Sequence, residues 1–193
     1  KSRPIIGSIM KPKIGLNPKE NAELAYQVWR NGVDLIKDDE NLSDLAISPF
    51  KERVVEAMKM QAQAEAETGQ RKLYAFNVTG PVTQMIERGH WVAEHGGRCL
   101  MVDLITTGWA GVQELRKTFP QMIIHGHRAG HSAFTRVANH GLSMLVVAKM
   151  ARLAGVDQLH TGTVVGKMEG EEAEVIKINQ FLGSAWGSLK PVL

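Results

Sequence analysis

The chain has 193 residues, 44% of them hydrophobic and 22% charged, with a formal net charge of +3. That is the size of one ordinary domain with enough apolar mass for a real core, which excludes an intrinsically disordered chain. The 23 basic residues are interleaved with 20 acids and never run to five together, so no nucleic-acid partner is expected. The longest apolar stretches are far shorter than the roughly 20 residues of a bilayer span, so no membrane is expected either. No apolar segment of signal-peptide type follows Lys1, Ser2, Arg3 and Pro4, and the expected location is cytoplasmic.

Short β-like apolar runs alternate six times with stretches of helical period, as in βα units around a parallel sheet. The first predicted strand covers 5–10. Its helix starts near Asn17 and Pro18, where asparagine can cap and proline suits the first turn, and it is expected to bury Ala22, Leu24, Ala25, Val28 and Trp29. Strand two is predicted over 33–36. The helix after it spans 50–68, with Val54, Val55, Met58 and Ala62 at helical spacing and Gly69 as its stop. A third strand at 73–78 leads through Gly80 and Pro81 into a helix ending at Gly96 and Gly97. Strand four is 99–104, helix four 109–117, strand five 122–125 and helix five 142–153. A short sixth strand, 158–160, is separated from a helix near 173–181 by a loop over 161–170. Cys99, the only cysteine, sits in an apolar run and is expected to pack rather than react.

Eight such units close a barrel, whereas a doubly wound sheet has five or six strands, and a count of six does not separate the two. The placement of polar residues favours the barrel. They gather just after each strand, at Lys11, Lys13, 37–40, Asn77, 127–131 and His160, where the strand ends of a barrel form one mouth. Residues 190–193 read as the opening of a seventh strand. The expected fold is α/β, a TIM (β/α)8 barrel of which about six units are present, with 1–193 as a single partial catalytic domain.

Four segments carry candidate chemistry. Lys37-Asp38-Asp39-Glu40 crowds like charges at the end of a buried strand, which a hard divalent cation on Asp39 and Glu40 would relieve; a solvated turn with an ordinary ion pair is the alternative. Lys11 and Lys13 flank Pro12 at the end of strand one. The pair can neutralise an enolate or a phosphate, and a lysine beside another cation gives up its proton more easily; two surface lysines are the plain alternative. His125, His127 and His131 share a seven-residue run with Arg128, joining acid/base groups to an anion-gripping guanidinium. Zinc is the rival there, with His160 as a further ligand, but the run has no acidic or cysteine ligand and no HExxH pattern. Finally, 162–170 has glycines at both ends and in the middle. It reads as a lid carrying Lys167, or as a plain loop; the Walker spacing is absent.

Taken in order, these segments resemble the RuBisCO large-subunit family. Gly7 to Leu16 resembles its GTIIKPKLGL pattern and Gly32 to Leu42 its GxDFxKDDEN pattern, while 127–131 resembles HRAxH and 160–170 the HxGTVVGKLEG lid. The similarity spans essentially the whole chain, with a flavour of the microbial form II/III branches at Phe134-Thr135-Arg136 and 158–161. The resemblance implies Mg2+ held by Asp39, Glu40 and a carbamate formed on Lys37 by activator CO2, the carbamate then taking the C3 proton of ribulose 1,5-bisphosphate. Lys11 would transfer protons with support from Lys13, and His127 would act in hydration and cleavage. Arg128 and His160 would hold a phosphate, and Lys167 would stabilise the carboxylated transition state. The implied activity is carboxylation, with oxygenation by competing O2, in a homo-oligomer that is at least a dimer. The family also implies an N-terminal domain and barrel strands seven and eight, none of them in this sequence, so that the chain alone would be inactive. Two further readings remain: a RuBisCO-like enolase or isomerase acting on a sulfur-containing sugar phosphate, and a non-catalytic fragment that needs a complementing chain.

Overall fold

The computed structural model describes residues 3–137, 139–165 and 171–193. The chain divides into two compact units, Lys1–Met101 and Val102–Leu193. No helix among the described residues is long and apolar enough to cross a membrane.

In the first unit β1 (Gly7–Ile9), α1 (Pro18–Arg30), β2 (Leu35–Lys37), α2 (Phe50–Thr68), β3 (Leu73–Asn77) and α3 (Val82–Glu94) lead to β4 (Cys99–Asp103). The strands are parallel and lie in sequence order, Gly7 beside Leu35, Leu35 beside Leu73 and Ala75 beside Cys99. Successive barrel units add strands in this way, whereas a doubly wound sheet reverses order at its switch point.

Asn17 caps α1, its side chain accepting from the Lys19 and Glu20 amides while Glu20 accepts from the Asn17 amide. The buried face differs from the one expected. Leu24 is exposed and Val28 only partly covered, while Asn21 and Tyr26 join Ala22, Ala25 and Trp29 inside. Successive residues turn about 100° round a helix, so Leu24 falls outside a stripe centred on Ala22, Ala25 and Trp29.

On α2 the buried stripe is Phe50, Arg53, Val54, Ala57, Gln61 and Ala64, and Ala62 faces out. The polar Arg53 and Gln61 hid this stripe from a search for apolar spacing. Gly69 ends the helix in the left-handed conformation, as expected. The core between these helices and β3 is aromatic. Tyr74 and Phe76 stack at 4.3 Å, Trp29 meets Tyr74 edge-on, and Phe50 meets Phe76 edge-on.

Two strand boundaries move. The span 5–10 contracts to Gly7–Ile9, since Ile5 and Ile6 are about half exposed. The span 33–36 shifts to Leu35–Lys37, because the Met10 amide bonds the Lys37 carbonyl and keeps that residue in the ladder.

In the second unit α4 (Leu104–Thr118), β5 (Ile123–His127), α5 (Ser132–Thr135), α6 (Met144–Ala154), β6 (Gln158–Leu159) and α7 (Glu172–Gly183) follow. Gly108 breaks α4 with φ 74°, so the regular helix begins at Trp109 as expected. β4 ends at Asp103, one residue short of the predicted end, and Leu104 opens the helix. β5 runs two residues beyond the predicted 122–125, which carries His127 to the strand's end. The single turn α5 was not foreseen, being too short for periodicity to register. β5 and β6 are parallel, with His125 opposite Gln158. Residues 190–193 form no assigned strand, yet Leu193 donates to the Asp157 carbonyl and accepts from the Leu159 amide, as a parallel neighbour of β6 would.

Arg152 on α6 is 2% exposed and organises the end of this unit. Its guanidinium donates to the carbonyls of Phe181, Ser184, Leu189 and Lys190 and lies over the Phe181 ring. Arg152→Met keeps the aliphatic bulk but removes the guanidinium from these four carbonyls, of which Phe181 alone keeps another donor among the described residues, Ser184. The expected cost is about 2–4 kcal/mol in urea denaturation, and an unchanged midpoint would contradict it.

Candidate active site

Each unit collects part of the predicted chemistry at its strand ends. In the first, β2 runs straight into Asp38, Asp39 and Glu40. The Asp38 amide bonds the Ala75 carbonyl, so the charged run starts while the backbone is still held by β3. Lys37, Asp38 and Asp39 are all buried and Glu40 is partly exposed.

Asp38 turns into the protein. Its Oδ2 accepts from Arg53 at 3.2 Å and from the Asn77 amide at 2.9 Å, and its Oδ1 accepts from the Tyr74 hydroxyl at 2.7 Å. Burial first, and the adjacent Asp38 charge second, raise the Tyr74 pKa well above the usual phenol value. Asn77 also donates through its side chain to the Asp39 and Glu40 carbonyls, at 3.3 and 2.9 Å. The acidic run is therefore pinned on both sides.

Asp39 and Glu40 carry the candidate metal-binding oxygens. Asp39 Oδ2 accepts from Lys11 at 2.5 Å, and its Oδ1 accepts from the Asn41 amide and side chain. Burial works to raise the Asp39 pKa, but the hydrogen bonds from Lys11 and Asn41 outweigh it and hold the carboxyl below its ordinary value. Lys37 Nζ lies 3.8 Å from Glu40 Oε2 and donates to the Asp38 carbonyl at 3.1 Å.

Of the alternative, a solvated turn with an ordinary ion pair, the ion pairs are present, Lys11 with Asp39 and Lys37 with Glu40, but the solvation is not, since Lys37, Asp38 and Asp39 are buried. The expectation for Lys11 is also corrected. Its near neighbour is the Asp39 carboxylate rather than another cation, and that hydrogen bond raises its pKa. Lys13 is exposed and takes no part in this cluster's hydrogen bonds.

The donor set fits a hard cation. Two carboxylates, one fully buried and already paired with an ammonium, offer the oxygens that magnesium prefers. Among the described residues no three His, Cys, Asp or Glu side chains converge as a complete metal site, and Lys37 lies beside the two carboxylates at the same strand end.

The second unit gathers histidines at the ends of β5 and β6. His125 Nε2 and His160 Nε2 are 2.8 Å apart, and His125 Nδ1 is 2.9 Å from Gln158 Oε1. The His127 ring packs edge-on against His160 at 4.9 Å, and its Nδ1 lies 3.3 Å from Asp103 at the end of β4. Arg128 is 5% exposed and donates to the Thr161 carbonyl at 3.3 Å, while its Nε is buried with no hydrogen-bond partner among the described residues. Burial lowers its pKa, and Glu174 partly counters that. A buried guanidinium whose Nε has no partner among the described residues keeps its charge at this strand end with its hydrogen bonding incomplete. Lys167, on the expected lid, lies outside the described residues.

His131 closes the run, its Nδ1 2.9 Å from the Thr135 hydroxyl. Burial, then the positive charges of Arg128 and His127, lower its pKa. A histidine depressed by folding is neutral in the fold and charges more readily when unfolded. Its contribution is present above the unfolded value of roughly 6.5 and lost as pH falls through the folded one. His131→Gln should therefore lose less stability than the parent between about pH 7.5 and about pH 5 in urea titrations. Equal losses would contradict this.

Sequence reading passed over Arg53, Asp103 and the side chain of Gln158, and it named Asn77 and Asp38 at the strand ends without their parts as a tether and a buried pin. An arginine one turn into α2, beside Val54 and in step with Phe50 and Ala57, was the signal for the Asp38 pair.

A family model described as the ribulose bisphosphate carboxylase large chain, catalytic domain, matches residues 1–185. The ribulose bisphosphate carboxylase of Pyrococcus abyssi is 46% identical over all of this chain and 46% of its own length, so the chain spans about half of that relative. The crystal structure of the octameric enzyme from Pyrococcus horikoshii superposes with a TM-score of 0.96 at 46% identity, covering 99% of this chain and 47% of that one. A rubisco-like protein from Burkholderia fungorum gives 0.94 at 34% identity, covering 99% of this chain and 48% of that one. The expected α/β fold, the barrel portion of such proteins, is borne out.

Proposed function

The chain belongs to the ribulose bisphosphate carboxylase large-chain family, and from that premise we propose that it forms the metal-holding and phosphate-gripping part of a carboxylase acting on ribulose 1,5-bisphosphate. The observation that carries this reading is Lys37, buried at the end of β2 and followed by Asp39 and Glu40. In this reading Lys37 takes up CO2 as a carbamate and with Asp39 and Glu40 holds magnesium. When bound, the metal supplies Lewis acidity toward the substrate's oxygens.

The remaining steps fall to the chain's own side chains. The Lys37 carbamate takes the C3 proton. Lys11, whose proton Asp39 holds firmly, donates to the carbanion left after carbon–carbon cleavage, and Lys13 adds positive charge nearby. His127 moves the proton of the attacking water during hydration. Arg128, a buried guanidinium beside the end of β6, and His160 hold one phosphate, and Lys167 meets the new carboxylate. The products are two molecules of 3-phosphoglycerate, and O2 competes with CO2 for the same intermediate. The rest of the site comes from an N-terminal domain of a neighbouring subunit and from barrel strands seven and eight, in an assembly that is at least dimeric.

The test is incorporation of labelled CO2 from bicarbonate into acid-stable phosphoglycerate by the full-length protein with magnesium and ribulose bisphosphate. Label in that product supports the carboxylase. Substrate enolisation without label would overturn it in favour of the activity class of the rubisco-like protein.

A further inference from the structure

The mechanism above gives His125 no role, although it is 6% exposed and bonded through both ring nitrogens. Its environment fixes where the protons sit. Gln158 presents its amide oxygen, which only accepts, so His125 Nδ1 carries a hydrogen and donates across the β5–β6 pair. In a neutral imidazole the other nitrogen is then an acceptor. His160 Nε2, 2.8 Å away, must therefore be the donor in that contact.

This order of donors constrains His160. With Nε2–H turned toward His125, a neutral His160 has an acceptor at Nδ1, which meets an anion lone pair to lone pair. Donating to a phosphate through Nδ1 requires a second ring proton. We propose that His125, locked by Gln158, is a positioning residue that obliges His160 to become an imidazolium when the site takes a phosphate, so that binding there is coupled to uptake of a proton. The inference rests on the reading of His160 and Arg128 as a phosphate grip.

The charged and titratable groups around the pair are compatible with a new positive charge only when the anion is present. His127 on β5 packs against the His160 ring, Arg128 reaches Thr161, the residue after His160, and His131 follows on the same turn. Asp103 at the end of β4 faces His127, and Glu174 on α7 acts on Arg128. Arg128 already supplies one buried cation, and a proton on His160 adds a second that an incoming dianion offsets.

The experiment is calorimetric titration of the full-length protein with sulfate, a phosphate mimic that does not itself titrate in this range. It is run at about pH 8, above the ordinary histidine value, in buffers of different ionisation heat. The expected result is uptake of close to one proton per sulfate bound. His125→Gln, whose side-chain oxygen can still accept from His160, should retain that uptake. His125→Phe frees His160 to take the other neutral tautomer, and should bind with little uptake. Sulfate binding that depends on His160 but takes up no proton in the parent protein overturns the proposal and leaves the phosphate grip standing. No binding, or binding indifferent to His160→Ala, overturns both. Equal uptake in the parent and His125→Phe proteins removes His125 from the mechanism.

Discussion

Lys37→Ala in the full-length protein is expected to abolish carboxylation, by about 10³-fold or more, because in the proposed reading one substitution removes both the base and a metal ligand. The loss should come without unfolding. The Lys37 backbone is tied to Met10, which holds the strand end whatever the side chain, and that side chain lies against the Asp38 carbonyl and the partly exposed Glu40 carboxylate. Lys37→Arg sharpens the test. Arginine keeps a cation beside Glu40 but has no primary amine to capture CO2, so it too should be inactive while melting near the parent. A Lys37→Arg protein that kept more than about a tenth of the parent rate would mean that the positive charge, and not the captured CO2, is what the site requires.

The largest expected stability effect lies one residue further on. Asp38 and Arg53 are both fully buried, and Arg53 also donates to the Ser43 and Ser48 carbonyls. Arg53→Leu leaves a carboxylate in the core with only the Tyr74 hydroxyl and the Asn77 amide to face it. Removing one member of a buried pair costs about 3–5 kcal/mol, which should lower the urea midpoint by about 1–2 M. Adding Asp38→Asn to Arg53→Leu should recover part of that loss, since a neutral amide can keep the hydrogen bond to Tyr74 or to Asn77 without stranding a charge. If the double variant were no better than Arg53→Leu, the cost would lie in lost packing and not in the charge. Activity should fall with stability here, because Asp38 is the fixed point between Lys37 and Asp39.

What could be read from the chain and what could not divides along physical lines. The alternation of elements was legible because backbone periodicity and glycine or asparagine at helix ends act locally, as the Asn17 cap and the Gly69 stop demonstrate. The buried faces were less so. Arg53 and Gln61 count as polar in any pattern but are covered in the fold, because each is paired or neighboured by residues distant in sequence. The acidic run at 37–40 was visible as a site, yet the division of labour within it was not: Asp38 points to Arg53 and Tyr74, and only the pairing of β2 with β3 fixes that direction. Lys11 was expected to lose proton affinity beside Lys13. The pairing of β1 with β2 instead brings Asp39 within reach and reverses the sign.

The most direct measurement is chemical trapping of CO2 on the full-length protein with labelled bicarbonate and magnesium, followed by peptide mapping. Magnesium-dependent label on the peptide that carries Lys37, lost in Lys37→Arg, is the predicted result. Label absent from that peptide, or shared equally with the peptide that carries Lys11 and Lys13, would contradict the assignment of Lys37, Asp39 and Glu40 as the activated metal site.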